Sequence, residues 1–137
     1  MKLKNIIPFI YLFVGTLVSP QPSLAEEKIE VIPIIQSSKG LSGKNFNYLE
    51  GKSELRLLKV KIPVGLKTPI HTHPSPMLIH VTRGRLKHVR GEEINFFKAG
   101  DAFVESNNGS AHYVKNIGKK PVILHVGVVS VVGMPTT

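Results

Sequence analysis

From Val31 onward the apolar positions fall in short alternating runs, and none keeps a sustained 3.6-residue period. Residues 31–35 (VIPII) are a short apolar run, and residues 37–47 form a loop rich in Gly, Ser, Lys and Asn. Residues 55–62 read as a strand with Leu55 and Leu57 in one phase and Leu58, Val60 and Ile62 in the other. That change of phase predicts a bulge near Leu57-Leu58. Further strands are predicted at 78–82, 86–90, 94–97, 102–105, 111–114 and 122–132, with Phe96, Phe97 and Phe103 as core. Turn signals separate them at Arg83-Gly84, Gly91-Glu92, Ala99-Gly100-Asp101, Asn107-Asn108-Gly109 and Asn116-Ile117-Gly118. Short strands and turns at this spacing predict an all-β chain folded as an antiparallel sandwich or barrel.

The first 25 residues stand apart from this pattern. Lys2 and Lys4 precede an apolar run from Ile6 to Val18, followed by Ser19-Pro20-Gln21-Pro22 and the small-residue pattern Ser23-Leu24-Ala25. This layout predicts a signal peptide over 1–25, cleaved after Ala25, and a single domain over 26–137 in a periplasmic or secreted protein. The apolar run is shorter than the about 20 residues a membrane span needs, so no stable membrane insertion is expected after cleavage.

Among the 137 residues there is no Cys, which excludes a disulfide scaffold, a thiolate metal site and a thiol nucleophile. A tightly held transition metal must then use His, carboxylate or Met. The chain carries 18 Lys and Arg against 9 Asp and Glu. The densest basic group, Arg83, Arg85, Lys87 and Arg90, is interrupted by His88 and Val89, and alternation places the first three on one solvated strand face. No nucleic-acid-binding motif accompanies it, so no nucleic-acid partner is expected.

Chemistry concentrates in two segments. In GLKTPIHTHPSPMLIHVTRG, from Gly65 to Gly84, His71 and His73 lie two apart and leave the same face of a strand, which can bring two ring nitrogens to one ion. In GDAFVESNNGSAHYVKN, from Gly100 to Asn116, His112 stands on another predicted strand. Together these resemble the two motifs of the cupin superfamily. Gly65, His71, His73 and Gly84 fall in register with the first motif, with Met77 at its Glu position. Gly100, Gly109, His112 and Asn116 match the second, with Ser106 at its Pro position and one extra residue in the turn. The chain is similar to small exported single-domain bacterial cupins whose first motif reads His-x-His-Pro-x-Pro.

The resemblance covers residues 55–132 and implies a cupin-type jelly-roll β-barrel, paired as a homodimer, with a metal held inside by three His and one Glu. Here His71, His73 and His112 remain as candidate ligands for a divalent transition metal. Without the carboxylate, the site is expected to disfavour Mn²⁺ and to suit Fe, Cu, Zn or Ni. Met77 has two readings, a thioether ligand favouring copper or an apolar wall of the barrel. His80 also has two, a cavity-facing ligand or acid/base group and a half-buried His bonded to backbone. His88 and His125 lie outside both motifs and read as structural or exposed. Asn116 reads as fixing the turn after its strand, and Glu105 as a strand-end residue rather than a cavity residue. No motif carboxylate then remains as a general base. Three functions fit: a metal-dependent oxygenase, isomerase or lyase acting on a small molecule, a non-catalytic metal- or ligand-binding module, and a metal-free partner-binding barrel.

Overall fold

The computed structural model describes residues 27–137, and the expected leader over 1–25 lies outside the described residues. Two units separate at Val31, and the second is Ile32–Thr137. It contains seven strands: β1 (Ser53–Ile62), β2 (Met77–Arg83), β3 (Arg85–Arg90), β4 (Glu93–Lys98), β5 (Ala102–Glu105), β6 (Tyr113–Asn116) and β7 (Val122–Val131). They pair antiparallel in a four-stranded sheet of order β1-β7-β2-β5 and a three-stranded sheet of order β4-β3-β6. This is the all-β jelly-roll architecture expected from the sequence. No described residue is helical.

Most predicted strands appear within two residues of their expected ends, because local alternation and turn residues set them. The VIPII run forms no strand; Pro33 lacks the N–H that a ladder needs. The chain passes from the larger sheet to the smaller at Gly84, whose φ of +88° favours glycine. A Cβ there would also lie 2.9 Å from the Val122 side chain, so the turn packs too tightly for any other residue.

The predicted bulge in β1 is not present. β1 pairs with β7 without a register shift from Ser53↔Val131 to Ile62↔Val122. One phase therefore holds along the whole strand, leaving Leu55 and Leu57 81% and 78% exposed. Leu58, Val60 and Ile62 turn inward, and the same phase carries Arg56 to the inner side. The Arg56 guanidinium donates to Ser130 Oγ (2.9 Å) and Thr136 Oγ1 (3.1 Å), which compensates its partial burial. The register shift lies instead in β2, between Val81 and Arg83.

Ile62, Met77, Ile79, Val81, Val122, Leu124, Val126 and Val128 of the larger sheet join Leu86 and Val114 of the smaller in one apolar core. Phe103 belongs to it and stacks on Phe97, with ring centroids 4.3 Å apart. Phe96, expected in the core, is 66% exposed, since in β4 it alternates with Phe97 and only one of the two can face inward.

Candidate metal centre and cavity

The HTH segment reaches the site along an extra edge beside β6. Thr68 N–H donates to Val114 O (2.9 Å), and His71 and His112 exchange backbone hydrogen bonds of 3.0 Å in both directions. The two imidazoles thus stand directly opposite each other on one bridge. His73, two residues on, returns to the same side by strand periodicity. Ring centroids lie 4.7 Å apart for His71 and His112, 4.9 Å for His71 and His73, and 5.1 Å for His73 and His112. One nitrogen from each ring falls within 4.8 Å of the other two. The structure therefore brings together all three histidines singled out from the sequence.

Backbone carbonyls set the tautomers of the first two. His71 Nδ1 lies 2.8 Å from Pro69 O, and His73 Nδ1 lies 3.2 Å from Thr136 O. A carbonyl only accepts, so each Nδ1 carries the proton and each Nε2 keeps its lone pair. His112 Nδ1 has longer neighbours, Ser110 O at 3.4 Å and an Arg90 Nη at 3.5 Å.

Burial lowers the pKa of His73, partly offset by the Thr136 carbonyl. Burial likewise brings His112 down to about 4, helped by the neighbouring histidines His88, His71 and His73 and opposed by Glu105. Both rings are neutral at pH 7, the form a metal requires.

Behind this trio lies a cavity of about 270 Å³ with walls that include Leu58, Val60, Ile79, Phe103 and Leu124. Met77, 3% exposed, belongs both to the apolar core and to this wall. Thr136 and Thr137, beyond β7, border it as well.

The sequence reading missed three residues here. Glu105 is a strand-end residue, but it is 2% exposed and faces the cavity. Its Oε2 accepts a charge-assisted hydrogen bond from Arg90, and its Oε1 lies 2.6 Å from His88 Nε2 and 3.6 Å from His112 Nε2. The His88 contact is short but off the direction of a hydrogen bond, so neither Glu105 Oε1 nor either His88 nitrogen has a hydrogen-bond partner. Burial alone would raise the Glu105 pKa. The close His88 ring, with favourable electrostatics from His112, His88 and the Arg90 guanidinium, outweighs it and holds the carboxyl below its ordinary value.

His88 is fully buried and stacks on His112 at 4.6 Å, with Arg90 two residues further along β3. Parity was the available signal. Glu105 shares the phase of core Phe103, and His88 and Arg90 share the phase of core Leu86. Charge argued against burial, and only the mutual pairing of these groups permits it.

Parity also removes His80. Met77, Ile79 and Val81 take the inner phase of β2, so His80 lies on the outer face, in register with exposed His125. It does not line the cavity. Asn116 holds its turn as expected, accepting from Gly118 N–H (2.8 Å) and donating to Lys120 O (2.9 Å), and it also donates to Ile62 O at the end of β1 (2.9 Å). Among the described residues no helix is long and apolar enough to cross a membrane.

Comparison with known proteins agrees with the fold. The sequence pattern of the Cupin domain family matches residues 58–131. Among solved structures, the chain is similar to the cupin domain of Schizosaccharomyces pombe Cnp3 at 20% identity and a TM-score of 0.52, covering 63% of this chain and 64% of that one. A Bacillus halodurans protein is similar at 20% identity and a TM-score of 0.51, covering 61% and 67% of the two chains. The DMSP lyase DddQ from Ruegeria pomeroyi matches at 18% identity and a TM-score of 0.51, covering 61% and 42%. The chain thus spans less than two thirds of the Cnp3 domain and under half of the lyase, and at these identities the likeness is one of fold. No curated protein matches significantly.

Proposed function

Because the chain belongs to the cupin domain family, we propose that it binds a divalent transition metal through His71, His73 and His112 and presents it to a small, largely apolar molecule in the cavity. The observation that carries this reading is the convergence of three histidine donor atoms within 4.8 Å. The carbonyls on His71 and His73 support it by leaving the Nε2 lone pairs free, as outer partners of metal-ligating histidines do. A bound ion would supply Lewis acidity or, as iron or copper, a redox centre suited to a dioxygenase. Three protein ligands leave positions for water or substrate. The largely apolar walls select for size, since about 270 Å³ lies below the usual range of drug-sized sites. Met77, on the wall, is a thioether ligand if the ion is copper.

A binding rather than catalytic role is the second reading. It is favoured by the segment beyond β7, whose Thr136 holds His73 and borders the cavity. In either role we propose a protein exported to the periplasm or beyond by its N-terminal leader and paired as a homodimer.

The test is metal content by mass spectrometry on protein purified from its native compartment without chelator or affinity tag, beside the His112→Ala variant. Near-stoichiometric metal lost in the variant is expected. No metal in either protein, even after reconstitution, would overturn the reading. Iron would favour the oxygenase branch, and zinc or nickel a Lewis-acid or binding role.

A further inference from the structure

Independently of the metal reading, we infer that the outer face of the three-stranded sheet docks on an anionic lipid surface, through a row of lysines beside exposed Phe96. Strand register sets the side chains of that face in rows. Lys87 stands opposite Phe96 on β4 and opposite Lys115 on β6, and Lys115 is bridged in turn to Lys67. Arg85 and Lys98 form a second row, and Ile94, Val89 and Tyr113 a third. Residues in register point to one side of a sheet, and the inner side is already taken by Leu86, His88, Val114 and Asn116. Five cations therefore share one face, and no Asp or Glu stands at an outward position of β3, β4 or β6. None of the five forms an ion pair among the described residues. Asp101, three residues past Lys98, accepts from the Lys98 backbone N–H instead.

Like charges directly opposite one another on neighbouring strands repel, so the Lys87-Lys115-Lys67 row is destabilising by itself. An array of phosphates laid against it removes the repulsion. The cations thus fit a polyanion, and the apolar residues choose which one. Phe96 and Ile94, 66% and 50% exposed, stand together on the edge strand β4 beside the lysine row. Aromatic and aliphatic side chains flanked by Lys and Arg are the composition that settles into the headgroup region of a bilayer. Single-stranded nucleic acid would instead need free ring faces for its bases. Lys67 already covers Tyr113, with Nζ 4.7 Å from the ring centroid. Each Lys or Arg near an anionic leaflet strengthens the attraction about five-fold, so a few suffice for a peripheral contact in which no backbone enters the hydrocarbon.

The test uses vesicles of phosphatidylcholine with about one third phosphatidylglycerol, beside vesicles of phosphatidylcholine alone. The full chain is used throughout, so its N-terminal apolar run contributes equally to every variant. The chain has no Trp, so Phe96→Trp and Leu57→Trp each install a single fluorophore, one on each sheet. Phe96→Trp emission is expected to shift to shorter wavelength with the anionic vesicles only, and Leu57→Trp emission to stay unchanged. In co-sedimentation, Lys87→Gln/Lys115→Gln should weaken binding to anionic vesicles about 25-fold, and Lys59→Gln/Lys61→Gln, the same charge change on the larger sheet, by less than about three-fold. Equal losses in the two double variants would show attraction by net charge alone and overturn the inference. An unshifted Phe96→Trp emission overturns it as well. So does a shift produced by a single-stranded oligonucleotide and not by vesicles, which would assign the face to nucleic acid.

Discussion

The two sheets of this protein differ in what they turn inward. The inner face of the four-stranded sheet is almost wholly apolar, with Ile62, Ile79, Val81, Val122, Leu124, Val126 and Val128 all buried. The inner face of the three-stranded sheet alternates apolar residues with chemistry. Leu86 is followed at two-residue steps by His88 and Arg90, and His112 precedes Val114 and Asn116 in the same way. One sheet contributes burial that is indifferent to detail. The other holds ionisable groups that are tolerable inside only because they face one another. Glu105 is the exception that joins them, the one buried carboxylate of the larger sheet, placed where Arg90 and His88 of the smaller sheet meet it. The smaller sheet thus carries an ionisable interior, and the larger sheet an apolar one.

The sharpest way to break this contrast is to remove the joining residue. Glu105→Leu leaves the Arg90 guanidinium buried without its anion and is expected to lower stability by about 3–5 kcal/mol, read from urea denaturation. Ile62→Ala, on the apolar side and away from the cavity, should lose about 2–5 kcal/mol to the cavity it leaves, while metal affinity in the folded fraction stays unchanged. A metal affinity that falls together with stability would show that the two faces are not separable.

The third test is pH. His112 protonates in the unfolded chain near 6.5 but in the folded chain only at about 4, so the unfolded state binds more protons between these values. Stability is therefore expected to be complete above about pH 6.5 and to fall as pH drops toward 4, with His112→Asn flattening that part of the urea-midpoint profile. Metal binding is expected to weaken as the ligand rings protonate, since only neutral imidazoles coordinate.

The smallest effects belong to the outer face. Leu57→Ser should change stability by no more than about 0.5 kcal/mol, whereas Leu58→Ser, one residue on and turned inward, should cost clearly more. His80→Ala should leave metal binding within error of wild type. Loss of metal in that variant would contradict the outward placement of His80.

What the sequence by itself determined were the features set by near neighbours along the chain. Alternation and turn residues define the strands from β1 to β7. The two-residue step of His71 and His73, with His112 after its Gly-bearing turn, marks the donor set before any packing is known. Tertiary structure decided every question in which a residue had two faces to choose from. In β1 the sequence offers two phases, and continuous pairing with β7 selects the one that exposes Leu55 and Leu57, with Ser130 and Thr136 receiving Arg56. In β2 the inward turn of Met77 sends His80 outside. Glu105, His88 and Arg90 each look like surface residues alone, because burying one charge is prohibitive. Their burial depends on partners at sequence separations of 15 and 17 residues that only the assembled barrel brings within reach.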